Sequence, residues 1–295
     1  MNLQRDVPIG PLTTYRVGGA AELFVTIDSD DDFSAVAELV ESEQLDVLVV
    51  GKGSNMLVAD SGFHGVAVTL GETFADVVVD GTSVAAGGAA ALPVVARRTA
   101  AAGLTGFEWA VGVPGSIGGA VRMNAGGHGS DMAAVLTRVR VVDLASGEDG
   151  WMAAAALDLA YRHSSVTASQ IVVHAELALE PGDAAESEAT ISSIVRWRRE
   201  NQPGGQNAGS VFTNPPGDSA GRLIDAAGCK GLRIGSAAVS DKHANFFIAD
   251  SGGRAGDVVT LMNEVRRRVH DTHGVWLEPE TRLIGFTNPR QEVEG

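Results

Sequence analysis

The sequence has one cysteine, Cys229, so no disulfide can form within the chain, and a reducing, cytoplasmic setting is expected. Lysine is nearly as scarce: Lys52, Lys230 and Lys242 are the only three among 22 basic residues, against 37 acidic ones. The formal net charge is −15. Such a chain is poorly suited to neutralise phosphates or to adhere to anionic lipid, so neither nucleic acid nor membrane is expected as a partner. Long apolar runs are missing as well. The longest, "VAAGGAAALPVVA" from Val84, is too short and too glycine-rich to span a bilayer. The opening "MNLQRDVPIG" has no apolar stretch of the signal-peptide kind. No internal repeat stands out, and no obligate protein partner is evident.

What is present is core material and glycine. The chain is 44% hydrophobic, enough for two or three domains, and has 37 glycines among 295 residues. "AELFVTI" reads as a strand. "DSDDDFSAVAELVESEQ" then reads as a helix with Phe33, Val36, Ala37 and Val40 on one face, and "DVLVVG" as a buried strand ending at Gly51. This is an α/β opening. "GVAVTL", "ADVVVDGTSVAAG" and "LTRVRVVDLASGEDGWM" read as strands, with turn signals at Asp80-Gly81 and Ser146-Gly147, and "QIVVHAELAL" closes the region. The acidic "EPGDAAESE" is taken as a linker. It sets domains of 1–181, with lobes of about 1–72 and 73–181, and 182–295. Beyond it the pattern predicts a helix through "ISSIVRWRRE", a loop "NQPGGQNAG", a helix near "AGRLIDAAG", a strand "NFFIAD", a long helix to His270 and a last strand "TRLIGF".

Two glycine loops stand out. One is "GKGSNML" from Gly51; the other is "GVPGSIGGAVRMNAGGHG", where seven of eighteen residues are glycine. Loops of small residues with Ser and Asn can aim backbone N–H groups at an anion. Neither is a P-loop, and neither is a Rossmann fingerprint, because Met56 stands where the third glycine would be. Two such loops separated by strands suit a long ligand with a central diphosphate. The plainer alternative is a pair of tight turns.

"TYRVGG", "GKGSNML", "GFEWAVGVPGSIGGAVRMNAGG", "YRHS", "NAGSVFTNP", "GCKGLRIGSAAVSDKHANFF" and "EPETRL" occur in this order between about Thr14 and Gly285. Together they resemble the UDP-N-acetylenolpyruvoylglucosamine reductase family. The resemblance implies an α+β protein: a two-lobed FAD-binding domain of the vanillyl-alcohol-oxidase (PCMH) type, followed by an α/β substrate-binding domain. It implies FAD and NADPH as cofactors. The substrate would be UDP-N-acetylglucosamine enolpyruvate, reduced to UDP-N-acetylmuramate for peptidoglycan by hydride from flavin N5. Gly51, Gly53, Ser54 and Asn55 would cradle the diphosphate. Gly115, Ser116, Gly119, Asn124 and Gly126 would line the diphosphate and ring system.

The reaction explains why particular polar residues are needed. An ether oxygen enriches the enolpyruvyl double bond with electrons, so the conjugated carboxylate must be turned into an electron sink by a cation or an acidic proton. A second group must protonate the carbon bearing that carboxylate. By resemblance, Arg162 is the cation and Glu280 the acid, with Glu278 as the fallback. Ser210 would be the proton donor, and Asn214 would contact substrate. Burial and a neighbouring carboxylate are expected to keep Glu280 protonated. Read without the family, Arg162 is a surface salt-bridge residue and Ser210 a loop hydroxyl. His270 and His273 suit a helix-end or surface role better than a metal site, and no metal is expected. Arg266, Arg267 and Arg268 read as a solvated basic run, and the role of Lys230 stays open. Two departures from the family pattern are visible. His128 replaces a common tyrosine, with a titration expected near the ordinary value. The short interval from Arg162 to Ser210 resembles the subclass lacking a tyrosine-bearing loop over the substrate. The rival readings are another flavin oxidoreductase of the same superfold, and a flavin-binding protein without turnover.

Overall fold

The computed structural model describes residues 1–286. They divide into two compact units, each built from separated pieces of chain. One comprises residues 1–5, 23–52 and 65–198; the other comprises 6–22, 53–64 and the chain from Arg199 onward. The boundary expected at 181/182 differs from this division, and the reason is local. The acidic stretch is the start of a helix. The Asp183 carboxylate accepts N–H bonds from Ala185 and Glu186 at 2.8 and 3.0 Å, capping the helix Ala184–Asn201. Ile191 and Ile194 of that helix lie in the first unit's core.

The first unit holds two sheets. The smaller is ordered residues 2–5, 23–27, 65–70 and 47–49. Val47–Val49 pairs parallel with Phe63–Leu70, which lies between it and the strand Ala20–Ile27 in the sheet. Ser29 and Asp32 form a capping box on the helix Asp30–Glu43, whose buried face is Phe33, Val36 and Val40. The larger sheet is antiparallel, in the order Asp149–Ala153, Leu136–Asp143, Gln170–Ala178, Ser83–Gly87, Val77–Asp80. Its two hairpins turn where expected, with Gly81 at φ 56° and Gly147 at φ 75°. Gln170–Ala178 is central, so Ile171, Val172, Val173, Ala175 and Leu177 are buried on both faces. The expected lobes share a core: Leu23, Phe33 and Val36 pack with Val142, Leu144, Ile171 and Val173.

The second unit has an antiparallel sheet of Arg233–Ile234, Ala237–Val239 and Phe247–Ala249, with the helices Ala220–Ala226 and Ala255–His273. The long helix runs three residues past His270 and ends at Gly274, φ 70°. Tyr15, Val17 and Leu57 enter this unit's core beside Phe212, Phe247 and Leu261. The N-terminal pieces belong here for two reasons. Met56–Val58 pairs parallel with the last strand, Arg282–Ile284. The Asp60 carboxylate caps the long helix through the Ala255 and Gly256 N–H groups at 2.9 and 3.1 Å. Among the described residues no helix is long and apolar enough to cross a membrane.

Candidate active site

In the first unit the two glycine loops line one pocket of about 570 Å³, open solvent at its mouth included. The lining includes Gly51 and Lys52 from the first loop and Ser116, Gly118, Gly119 and Arg122 from the second. The segment after the strand Ser83–Gly87 forms a shelf beneath the second loop. Leu92 N–H bonds to the Gly115 carbonyl, Ile117 N–H to Ala90 and Gly118 N–H to Gly88, at 3.0, 2.9 and 2.9 Å. Ser116 then caps the helix Ile117–Arg122 by accepting from Gly119 N–H at 3.4 Å. These amides are engaged within the protein, so the glycines serve close approach more than anion donation. A Cβ on Gly88 would lie 2.0 Å from the Val172 carbonyl oxygen, and one on Gly51 would lie 2.9 Å from Ser116 Oγ. The fit to a diphosphate-bearing cofactor rests on this bare backbone and on two cations, Lys52 and Arg122, in the lining. Sequence reasoning missed Lys52, Arg122, Gln170 and Gly88. Their signals were cations inside glycine loops and a Gly-Gly pair at a strand end.

Asn124 is buried at φ 38°. Its amide donates to Asp131 Oδ2 and the Ala160 carbonyl at 3.2 and 2.9 Å, and its Oδ1 accepts from Ala133 N–H at 2.9 Å. It thus ties together the loops on which Gly126 and Arg162 sit. Gly126–Gly127 pairs with Ser130–Asp131, and His128 and Gly129 make the turn at φ 53° and 89°. The Gly126 carbonyl accepts from Arg162 Nη2 at 3.1 Å. Arg162 is half-buried, sits at φ 56°, and stacks over Tyr161 with its guanidinium carbon 5.0 Å from the ring centroid. His128 packs edge-on against Trp197, 5.2 Å between ring centroids, beside Gly112. Burial, helped by the charge of Arg198, pushes its titration below the ordinary histidine value. The titration expected near that value is corrected downward.

In the second unit the segment after Gly209 is held from both sides. An isolated bridge joins Ser210 to Phe246. The buried Asn245 side chain accepts from Phe212 N–H and donates to its carbonyl, at 3.0 and 2.8 Å. On the other side Glu280 N–H donates to the Val211 carbonyl at 2.8 Å, and Thr213 N–H donates to that of Glu278 at 2.9 Å. Ser210 and Glu280 therefore sit on neighbouring segments, both half-buried, while Glu278 is exposed. Asn207 Oδ1 accepts from Gly209 N–H at 3.1 Å and shapes the turn before Ser210.

The remaining expected residues have the following local contacts. Gly53, at φ 60°, packs on the backbone of Leu12 and Thr13 in the second unit, where a Cβ would come 2.4 Å from the Leu12 carbonyl oxygen. Ser54 and Asn55 follow it there, whereas Gly51 belongs to the first unit. Asn214 Oδ1 accepts from Ala220 N–H at 3.0 Å at the start of the helix Ala220–Ala226. Lys230 pairs with Asp225 at 2.7 Å. The basic run is not simply solvated. Arg267 and Arg268 pair with Glu264, and Arg266 Nε donates to the Leu277 carbonyl at 2.8 Å, steadying the approach to Glu280. His270 stacks on Trp276 at 4.2 Å. Among the described residues no group of three or more His, Cys, Asp or Glu could hold a metal.

Comparison with known proteins bears on the whole chain. Residues 21–149 match the FAD binding domain model, and residues 201–284 match that of the UDP-N-acetylenolpyruvoylglucosamine reductase C-terminal domain. The reductase of Acidiphilium cryptum is 44% identical over 95% of this chain and 91% of its own. That of Heliobacterium modesticaldum is 42% identical over 94% and 89%. A crystal structure of the reductase from Thermus caldophilus is 34% identical, with a TM-score of 0.83, covering 96% of this chain and 99% of that one. The α+β fold, an FAD-binding domain followed by a distinct C-terminal domain, is that of these relatives. The chain belongs to the UDP-N-acetylenolpyruvoylglucosamine reductase family, a family of FAD-dependent oxidoreductases.

Proposed function

We propose that the chain reduces the enolpyruvyl ether of UDP-N-acetylglucosamine to UDP-N-acetylmuramate, with NADPH as the electron source, in the cytoplasm. Family membership supports the substrate and the reaction. The observation that carries the assignment of roles is the Glu280 N–H bond to the Val211 carbonyl, 2.8 Å, which sets Glu280 on the segment next to Ser210. Gly51, Lys52, Ser116 and Arg122 would hold the FAD diphosphate. FAD, when bound, supplies the hydride that the substrate takes at C3.

Arg162 forks its guanidinium onto the substrate carboxylate, its orientation fixed through Gly126. Glu280 acts in its acid form, because an ionised carboxylate beside another would repel it. Together they draw electron density out of the double bond, and C3 becomes electrophilic. The Ser210 hydroxyl then gives its proton to C2. A serine is a weak acid in water, but the carbon left by hydride addition is a strong base, and the proton need only be held at the correct face.

Stopped-flow measurement of the two half-reactions tests the reading. Ser210→Ala should be reduced by NADPH at a near-normal rate and fail in reoxidation by substrate by ~100-fold or more, on the scale of a positioned general acid. Ser210→Cys should recover part of the loss. Equal slowing of both halves would make Ser210 structural, and no slowing of either would overturn the mechanism.

A further inference from the structure

Glu280 lies in a stretch of little regular structure, before the strand Arg282–Ile284. Its own backbone N–H is held by Val211, at 2.8 Å. Its carbonyl is held by Asn55, whose Nδ2 donates to it at 3.0 Å across 225 residues of sequence. The Asn55 main chain completes a second contact: its carbonyl accepts from Arg282 N–H, also at 3.0 Å. One residue thus grips the chain on both sides of Thr281, whose side chain is buried. Directly after Asn55 the strand Met56–Val58 pairs in register with Arg282–Ile284, beginning with Met56 opposite Arg282.

We infer that Asn55 is a positioning residue for Glu280, acting through the glutamate's backbone. This rests on the proposed role of Glu280 in the reaction. Loop residues gain catalytic precision only when their backbone is fixed, and a displacement of ~1 Å in a reacting group can cost ~100-fold. The bonds that fix residue 280 include the one from its N–H to Val211 and the one to its carbonyl from Asn55. The first sets its distance from the Ser210 segment. The second, together with the Thr281 N–H bond to the Val211 carbonyl at 3.3 Å, opposes rotation of the peptide joining Glu280 to Thr281. A carboxamide is suited to the task because it presents an N–H donor to the carbonyl. An aspartate of the same shape would face that carbonyl with an acceptor. The assignment differs from the diphosphate contact implied for Asn55 by resemblance, and the two make opposite predictions.

The test uses holoenzyme and three variants, Asn55→Ala, Asn55→Asp and Asn55→Ala combined with Glu280→Gln. Asn55→Ala and Asn55→Asp should retain FAD and be reduced by NADPH within ~3-fold of the unaltered protein. Reoxidation by substrate should slow by roughly tenfold or more, in kcat and not in the half-saturating substrate concentration. In the Glu280→Gln background Asn55→Ala should add less than ~2-fold, because a residue acting through Glu280 has nothing left to position. Hydrogen exchange of peptides spanning Glu280–Arg282 supplies a readout independent of turnover. It should rise roughly tenfold in Asn55→Ala, as for a backbone bond opened locally. Loss of FAD with normal reoxidation of the remaining holoenzyme, full retention of rate in Asn55→Asp, additive losses in the double variant, or unchanged exchange would each overturn the inference. Failure of the unaltered reduced protein to be reoxidised by the enolpyruvyl substrate would sink the proposed function instead, and the exchange result would still decide whether Asn55 holds this segment.

Discussion

Arg162 Nη2 donates to the Gly126 carbonyl at 3.1 Å, so the guanidinium takes part of its direction from a glycine hairpin. The hairpin is itself pinned. A Cβ on Gly126 would lie 2.5 Å from the Ser130 carbonyl oxygen, and Asn124 ties Asp131 to the Ala160 carbonyl ahead of Arg162.

Arg162→Lys keeps that charge and loses the planar fork. Reoxidation by substrate should slow by ~100-fold, the cost of a lost oriented charge contact at a developing anion, with NADPH reduction close to normal. A slowing below threefold would remove Arg162 from the carboxylate.

The left-handed backbone at Arg162, φ 56°, adds a second expectation. Glycine is free in this region and alanine is strained, so Arg162→Gly should be more stable than Arg162→Ala by about 1 kcal/mol, with both inactive toward substrate. Urea melts of the two variants compare them directly, and the reverse order would deny that the strain exists.

Gly51→Ala places a methyl 2.9 Å from Ser116 Oγ, the atom that caps the helix Ile117–Arg122. FAD affinity should fall by about tenfold, equivalent to ~1.4 kcal/mol, while the thermal midpoint of the apoprotein stays within a few degrees. Gly88→Ala should instead fail to fold, since its methyl would meet the Val172 backbone. Equilibrium dialysis with FAD, and soluble yield, separate the two outcomes.

His128 titrates below the ordinary histidine value because partial desolvation, helped by the charge of Arg198, disfavours its cation. The unfolded chain therefore binds the proton at a higher pH than the folded chain. The stability that follows from this difference is present above the unfolded value of about 6.5, and is lost as pH falls through the lower folded value. His128→Tyr should remove the effect. Between pH 7.5 and 5 its melting temperature should drop less than that of the unaltered protein. Parallel curves for the two proteins would place the proton elsewhere.

Local signals were legible in the sequence. Asp80-Gly81 and Ser146-Gly147 marked real hairpins, and the spacing of Phe33, Val36 and Val40 marked the buried face of a real helix. Long-range pairing was not legible. Nothing near Tyr15 or Leu57 shows that they are core residues of the second unit, because their partners lie some two hundred residues away. The acidic stretch misled for a different reason: carboxylates are common in linkers and equally favoured in a first helical turn, and Asp183 is there as a cap. The local contacts of the candidate-site residues were not readable. Asn55 and Asn124 look in sequence like ligand contacts, and in the structure their amides grip the protein's own carbonyls.

The parallel pairing of Met56–Val58 with Arg282–Ile284 also sets a timetable for synthesis. A ribosome adding about 5–20 residues per second needs roughly 10–45 s to cover the 225 positions between Asn55 and Glu280. The first unit has all its pieces once Arg198 has emerged, and it can condense early. Tyr15, Val17 and Leu57 cannot, since their core is made of residues still untranslated. They wait as exposed apolar side chains within reach of chaperones. A chain released before Arg282 leaves Met56–Val58 without its partner strand, so quality control should treat premature termination near the end of the message as a folding failure of residues made at the beginning.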